Sequence, residues 1–338
     1  MAGDLDNLSA RLHGRRARLA AGERLRSLCA LGSTEALAAA LFPGAAAAGP
    51  ARLQNRLAEN FVHEARELAA VLGGARARFI EWAAARLQVE NLKVLVRALA
   101  AGFPPAAARP LLIPLPGWAE VYGPAAEAET PGALVAALPR GVLRDSLERA
   151  YEVYPDRSRS FFYEAALDRD YLDELKARLA SLPAGDREYT SELVRQETAV
   201  FDLMLAARGK FFYGIEKEKL AGLFAPGSGI DGRRFSKMLD SGGVAALRAL
   251  AAGLAVEAGP PEPDPSALEA LAWGRYARLA ARAFRGTQTG FGAVAGYLAL
   301  RRLEVSNLTT VSEGLRLGAP AEELRGRMLP RGGGRYNV

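Results

Sequence analysis

The feature that most constrains the fold is an internal repeat: residues 83–114 recur without a gap as residues 299–330. Eleven positions are identical in the two copies. The shared residues are of the kinds that fill helix cores or end helices, and reactive side chains are few among them. They include Asn91 and Asn307, Leu92 and Leu308, Gly102 and Gly318, and Pro104 and Pro320.

A weaker third copy lies between these two. Residues 197–214 place Asp202 and Leu203 where the other copies have Asn-Leu, and AGLFAPG (221–227) is similar to LLIPLPG (111–117). The Asn/Asp-Leu positions divide the chain into rough thirds, whereas solenoid repeats are about 20–50 residues long. The pattern therefore predicts three similar domains, formed by residues 1–117, 118–227 and 228–338.

Composition narrows the possible chemistry. Half of the residues are hydrophobic, enough for a substantial core. Cys29 is the only cysteine, which excludes a disulfide framework and a cysteine-based zinc site. With only His13 and His63 as histidines, a histidine-rich metal site or a Ser-His-Asp triad is disfavoured. We predict no metal and no cofactor.

The chain also lacks the usual signals for membrane insertion or secretion. No apolar run approaches the roughly 18–20 residues of a membrane span. The start, MAGDLDNL, has acids where a secretory signal has positive charge. We therefore expect a soluble, cytoplasmic protein.

The net charge of +6 comes mostly from arginine. A basic surface favours acidic partners such as anionic headgroups or acidic protein faces. A basic helical nucleic-acid-binding protein is therefore one rival hypothesis. Since enrichment in Arg, Ala and Gly is also typical of GC-rich genomes, a solvated surface explains the charge, and we predict no nucleic-acid partner.

Apolar residues recur at intervals of three and four along almost the whole chain, and alternating runs of β-branched residues are missing. The sequence predicts an all-α protein. Gly102 followed by Pro104 predicts a helix end, and Thr130-Pro131 and Asp264-Pro265 predict helix starts. The predicted helices cover about 4–28, 51–72, 76–101, 158–181, 187–209, 265–285 and 291–317.

Glycine and proline clusters predict the loops. They lie at 43–50, 114–117, 226–232 and 259–265, and the tail at 330–338 contains three consecutive glycines, which favours mobility. The loops near residues 116 and 227 end the first two copies of the repeat. We therefore place the domain boundaries there.

Two short motifs resemble known sites but lack the required context. Residues 227–232 match G-x-G-x-x-G, yet Pro226 precedes them and no strand pattern lies nearby, so we interpret them as a loop. His63-Glu64 begins H-E-x-x-H, but residue 67 is Glu and the second zinc ligand is missing. A solvated helix face explains that segment.

A cluster of acids supports a second rival, a magnesium-dependent prenyl-diphosphate enzyme. Such an enzyme needs carboxylates that face a second acidic helix, so that Mg²⁺ bridges both to pyrophosphate. No adjacent Asp-Asp pair or matching motif occurs, and Arg169 and Lys176 interleave with the acids. We expect exposed acids on a helix whose Leu167, Tyr171, Leu172 and Leu175 pack inward. The acids are Asp168, Asp170, Asp173 and Glu174.

The residues of the repeat also carry a resemblance to a family. The segments ENLKVLVRALAAGFPPAAARPLLIPLPG, SNLTTVSEGLRLGAPAEELRGRMLP and FDLMLAARGKFF with LFAPG resemble the C-subunit family of rotary V-type ATPases and ATP synthases, whose eukaryotic member is the d subunit. NLSARLHGRRARLAAGERL is similar to the family's first helix, and FYEAALDRDYLDELKARL to its Leu-Asp-x-x-Tyr helix starts. One departure is LFPGAAAAGP, which replaces a polar stretch often found after the early helices.

This resemblance implies a funnel of three helical bundles around a pseudo-threefold axis. Its wide mouth would receive the rotor shaft, and its base would lie on the membrane ring of proteolipid subunits. The implied role is to transmit torque during H⁺ or Na⁺ translocation, peripheral to the membrane and without catalysis. We expect Asn91 and Asn307 to pack or cap helices, and Leu92 and Leu308 to be buried.

Overall fold

The computed structural model describes residues 2–44, 49–156, 158–256, 264–287 and 290–330. These residues contain α-helices, two 3-10 helices (Arg109–Leu111 and Pro124–Glu127), one isolated bridge and no strand. The all-α prediction is therefore confirmed. The α-helices are α1 Ala2–Ala17, α2 Gly22–Leu28, α3 Thr34–Leu41, α4 Pro50–Leu72, α5 Gly74–Ala84, α6 Arg86–Ala100, α7 Pro105–Ala108, α8 Trp118–Tyr122, α9 Pro131–Ala137, α10 Val142–Val153, α11 Ser160–Ala180, α12 Ala184–Phe211, α13 Lys217–Ala221, α14 Gly232–Asp240, α15 Val244–Ala251, α16 Pro265–Gly286, α17 Phe291–Arg316 and α18 Ala321–Arg327.

Most long helices begin and end close to the predicted residues. The side chains of Thr130 and Asp264 accept hydrogen bonds from the first turns of α9 and α16, as expected of N-caps. Of the predicted loops, residues 45–48 and 257–263 lie outside the described part of the chain. So does most of the predicted mobile tail, residues 331–338.

Two predicted helices are each a pair of helices. The one expected over 4–28 is interrupted before Gly22, whose φ of +55° favours glycine. The one expected over 76–101 is interrupted at Ala85, whose N–H lies 3.0 Å from the carbonyl oxygens of both Glu81 and Trp82. That shared hydrogen bond tightens the last turn of α5 and interrupts the helix before α6 begins.

The three helices that carry the repeat, α6, α12 and α17, run in the same direction. Helix α11 packs between α6 and α12, and α16 packs between α12 and α17. Both intervening helices are antiparallel to their neighbours, because residues near the end of one helix contact residues near the start of the next. The contacts that establish this are Arg97–Glu164, Arg86–Asp168, Tyr213–Phe161, Arg208–Glu269, Glu192–Arg282, Tyr276–Arg302 and Thr287–Gly292, and Thr190 and Leu175 line one pocket.

The last repeat helix also packs against the first part of the chain, so the helices close on themselves. Tyr297 of α17 donates a hydrogen bond to Glu64 of α4 at 2.7 Å, and Gln54 donates to Glu313 at 2.5 Å. Arg15 of α1 joins this contact through Glu64 at 2.9 Å. These pairs make α4 antiparallel to α17 as well.

The core lies around the intervening and repeat helices. All ten residues at 291–300 in α17 are buried, because α4 and α16 cover opposite sides of the helix. Gly296 permits the close approach of α16, since a Cβ atom there would lie 2.6 Å from the carbonyl oxygen of Ala280. Among the described residues, no helix combines the length and hydropathy needed to cross a membrane.

Candidate functional site

The repeated asparagines tie each repeat helix to the loop that follows it. Asn91 Nδ2 donates to the carbonyl oxygen of Ile113 at 2.8 Å, and its Oδ1 accepts the N–H of the same residue at 2.8 Å. Asn307 makes the same two bonds with Leu329, at 2.8 and 2.9 Å. We call each such amide-to-peptide contact a latch. Both amides are buried, so water does not compete for these bonds.

The middle copy has a latch of different chemistry. Asp202 Oδ1 accepts the N–H of Ala225 at 2.9 Å, and Ala225 precedes Pro226 as Ile113 and Leu329 precede prolines. The side chain is fully buried, and Oδ2 has no hydrogen-bond partner. Burial raises the pKa of Asp202 to about 7, although the N–H of Ala225 acts in the opposite direction.

The remaining repeat positions fill the core or end the helices. Leu92, Leu203 and Leu308 are buried next to the three latch residues. Gly102 and Gly318 have φ of +68° and +71°, the left-handed conformation that ends α6 and α17. Pro104 and Pro320 follow them and precede α7 and α18.

A cavity of about 370 Å³ lies between α6, α11, α12 and α16. Its wall combines aromatic side chains with ion pairs that cross between helices. Lys93 Nζ lies 2.6 Å from Asp168 Oδ1, and Arg97 Nη2 lies 2.9 Å from Glu164 Oε2. Arg208 and Glu269 pair across α12 and α16.

Three equivalent positions of the repeat lie near one another: two of them line the cavity, and the third forms an ion pair with one of these. Arg86, Glu197 and Arg302 each lie five residues before a latch residue, and we call them the central triad. Arg302 Nη1 lies 2.8 Å from Glu197 Oε1, and its Nη2 donates to the Tyr276 hydroxyl at 3.1 Å. Burial acts to lower the pKa of Arg86. The nearby carboxylates outweigh burial and raise this pKa, with Asp168 the largest contributor, followed by Glu90 and Glu197. Burial acts on Arg302 in the same way, but the pKa of Arg302 is raised as well, mainly by Glu197, so both arginines stay charged.

The two ends of the helix assembly differ. Towards the N-terminal ends of the repeat helices, side chains from all three predicted domains touch one another. Towards the C-terminal ends, the cavity is lined by Arg97, Arg208 and Tyr213, which are about half exposed. The contacts at the closed end are Arg76–Asp186 (2.6 Å), Phe79–Phe291 (ring centroids 5.9 Å) and Glu192–Arg282.

Large apolar side chains are exposed where each repeat helix ends. Phe103, Phe212 and Leu317 follow α6, α12 and α17 within three residues and are 61%, 76% and 69% exposed. We call these three residues the rim. These three residues follow the C-terminal ends of parallel helices, and contiguous exposed apolar surface typically marks an interaction site.

The short motifs noted in the sequence have structural roles. Residues 227–232 form the loop after the middle latch and lead into α14, with no strand before them. His63 is exposed, while Glu64 pairs with Arg15 and Arg301. Among the residues that the structure describes, no group of three His, Cys, Asp or Glu side chains is arranged to hold a metal ion.

The acids of α11 are all paired with bases. Leu167, Tyr171, Leu172 and Leu175 pack inward as predicted. The prediction of exposed acids is wrong for Asp170, which is buried because Arg149 and Arg169 cover its carboxylate at 2.7 and 2.9 Å. The other pairs are Asp168 with Arg86 and Lys93, Asp173 with Lys176, and Glu174 with Arg178.

The central triad was not predicted from the sequence. Arg86 and Arg302 are identical in the aligned copies, and Glu197 occupies their position in the middle copy. A charged residue that recurs on the apolar face of a repeated helix is the signal that would have found them. It indicates a buried ion pair, because an isolated charge is too costly to bury.

Comparison with known proteins gives one match over most of the chain. The family model described as "ATP synthase (C/AC39) subunit" matches residues 8–327. An uncharacterized protein of Treponema pallidum (strain Nichols) is 32% identical over 77 residues. That alignment covers 23% of this chain and 23% of the relative, so the two are matched over about a quarter of their lengths.

Proposed function

Because the chain belongs to the C/AC39 family of ATP synthase subunits, we propose that it is a noncatalytic central-stalk subunit of a rotary V-type ATPase or ATP synthase. It links the rotor shaft to the proteolipid ring of the membrane and transmits torque for H⁺ or Na⁺ translocation. The family match over residues 8–327 carries this proposal. The protein would lie peripherally on the cytoplasmic face of the membrane.

We further propose that residues 1–117, 118–227 and 228–338 form three related bundles around a pseudo-threefold axis. Two observations support this arrangement. The repeat helices α6, α12 and α17 are parallel, and the central triad links equivalent positions of the three copies, because Glu197 pairs with Arg302 and its charge also acts on Arg86. The closure of α17 onto α4 lets the third bundle contact the first.

The two different ends suggest how the funnel is oriented. The C-terminal ends of the repeat helices would form the mouth, where the apolar rim would contact the shaft. The opposite end, where the three bundles meet, would face the proteolipid ring. An inserted shaft gains apolar contact at the rim, while the paired charges of the cavity wall remain satisfied.

The rival enzyme hypothesis finds little support in the geometry. A magnesium-dependent prenyl-diphosphate enzyme needs free carboxylates that face each other across a cavity. In this chain Asp168 and Asp170 are each held by two bases, and Asp170 is buried away from the cavity. No observation favours nucleic-acid binding.

Reconstitution tests the coupling role. ATP-driven ion pumping is compared between rotary complexes with and without this protein. ATP hydrolysis is measured for the detached head, which is the part of the complex that hydrolyses ATP. We expect pumping to require the protein and hydrolysis by the detached head not to require it. Normal coupled pumping without the protein would refute the proposal.

The orientation is tested in the same system. Phe103, Phe212 and Leu317 are replaced together by Ser, and Val71→Ser is the matched control, since Val71 is 49% exposed at the closed end. We expect the triple variant to lose binding to the isolated shaft and to keep binding to ring-containing membranes. Loss of ring binding alone would reverse the orientation but leave the coupling role intact.

A further inference from the structure

The middle latch is chemically incomplete compared with its two counterparts. Asn91 and Asn307 each donate one hydrogen bond to a loop carbonyl and accept one from the same residue. Asp202 accepts the equivalent N–H, from Ala225, but an ionised carboxylate has no proton to donate. Its second oxygen is therefore left without a partner in a fully buried position.

The surroundings of Asp202 offer little compensation for a buried negative charge. The charged groups that face it are Lys176 and Asp173, both on α11 and of opposite sign. These two pair with each other at 2.7 Å, and Lys176 also donates to the carbonyl oxygen of Pro226. The Ser228 hydroxyl lies close and favours the ionised form of Asp202, which lowers the pKa of that carboxyl. The proton of Ser228 is already used within its own loop, because this hydroxyl donates to the carbonyl oxygen of Ile230 and accepts the N–H of the same residue.

We propose that Asp202 holds a proton on Oδ2 in the folded protein and donates it to the carbonyl of Ala225, so that the middle latch closes fully only when protonated. A protonated carboxyl has the same donor and acceptor pattern as the asparagine amide. The proton comes from solvent when the loop closes and returns to solvent when it opens. The middle bundle thus contains a pH-dependent latch that the other two bundles lack.

The direction of the pH dependence follows from the two protonation states. Burial raises the pKa of Asp202 from 3.8 in the open chain to about 7 in the closed latch. A carboxyl group that binds its proton more tightly in the closed latch than in the open chain stabilises the closed latch. This stabilisation is fully present below the lower pKa, and it is lost as the pH rises through the higher pKa. The opening equilibrium should rise about tenfold per pH unit between the two values and level off above the upper one.

Amide hydrogen exchange on the full chain tests the latch directly. The amide of Ala225 is compared with those of Ile113 and Leu329, which bond asparagines and serve as controls within the same sample. After correction for intrinsic exchange rates, we expect opening at Ala225 to rise about 50-fold from pH 5 to pH 7, because the rise levels off near the upper pKa. Ile113 and Leu329 should show no such rise.

Two substitutions separate the latch from other pH effects. Asp202→Asn should remove the rise at Ala225, because an amide donates at every pH. Asn91→Asp should create a similar rise at Ile113. If the Asn91 variant fails to fold, Asn307→Asp takes its place and should create the rise at Leu329. An equal pH response at Ala225 in the wild type and Asp202→Asn would overturn the proposal. The proposal would also be overturned if a folded Asn91→Asp or Asn307→Asp variant showed no rise in opening with pH at Ile113 or Leu329, respectively.

Discussion

Replacing Glu197 by Leu tests whether the central triad is a structural ion cluster. Glu197 is the only acid of the triad, and its carboxylate lies 2.8 Å from Arg302. The two side chains are 8% and 16% exposed, so both charges are largely removed from water. Without Glu197, Arg302 keeps the Tyr276 hydroxyl at 3.1 Å and its contacts with the rings of Trp273 and Tyr276, but no carboxylate among these partners. Arg86 keeps Asp168 at 2.8 Å.

The size of the effect follows from the unpaired arginine. Removing one partner of a buried pair costs about 3–5 kcal/mol, because the remaining charge stays buried without compensation. Replacing both partners by apolar residues of similar volume is often nearly neutral. We therefore expect Glu197→Leu to cost about 3–5 kcal/mol, and Glu197→Leu with Arg302→Met to cost clearly less than that single change.

Thermal and urea unfolding of the wild type, both single variants and the double variant form a double-mutant cycle. Glu322→Gln is the control for an exposed pair, since Glu322 is 84% exposed and its pairing with Arg325 is worth about 0–1 kcal/mol. Two results would refute the reasoning. One is a Glu197→Leu variant that loses no more unfolding free energy than the control. The other is a double variant whose loss of unfolding free energy equals the sum of the losses of the two single variants.

Three further substitutions test the packing of the repeat helices. Leu92→Ala and Leu308→Ala should each cost about 2–5 kcal/mol in unfolding free energy, because both side chains are buried. If neither variant changed the melting temperature, the helix faces that carry Leu92 and Leu308 would not be part of the core. Gly296→Ala should cost about 1–3 kcal/mol, because its Cβ would lie 2.6 and 2.7 Å from backbone atoms of Ala280 and Phe284. A stabilised Gly296 variant would contradict the close approach of α16 and α17.

The sequence predicted the helices where local chemistry determines their ends. Thr130 and Asp264 cap helices through short side-chain bonds, and Gly102 ends α6 with a left-handed residue. Each of these signals needs only a few neighbouring residues, so it can be recognised without tertiary information. The break before Gly22 was missed because an isolated glycine is tolerated inside a helical pattern.

Features that depend on several helices at once could not be predicted in this way. Helix α17 is buried on all sides over 291–300 because α4 and α16 both cover it, so periodicity does not indicate which residues face which partner. Asp170 looked like a surface acid, but Arg149 of the preceding helix covers it. The partners of the latch residues lie 22 or 23 residues away, beyond any helical spacing.

The latches provide a physical reason for the identical positions in the repeat. An asparagine can bond both backbone groups of one loop residue only if the loop returns to a fixed point on the helix. The chain leaves the open end near Phe103 or Leu317 and returns to the latch at Ile113 or Leu329. Each rim segment is thus anchored by its helix on one side and by its latch on the other. If the rim contacts a rotating shaft, as we propose, this double attachment resists sideways force on the rim residues. The middle rim segment, which contains Phe212, would then be held most firmly when Asp202 is protonated.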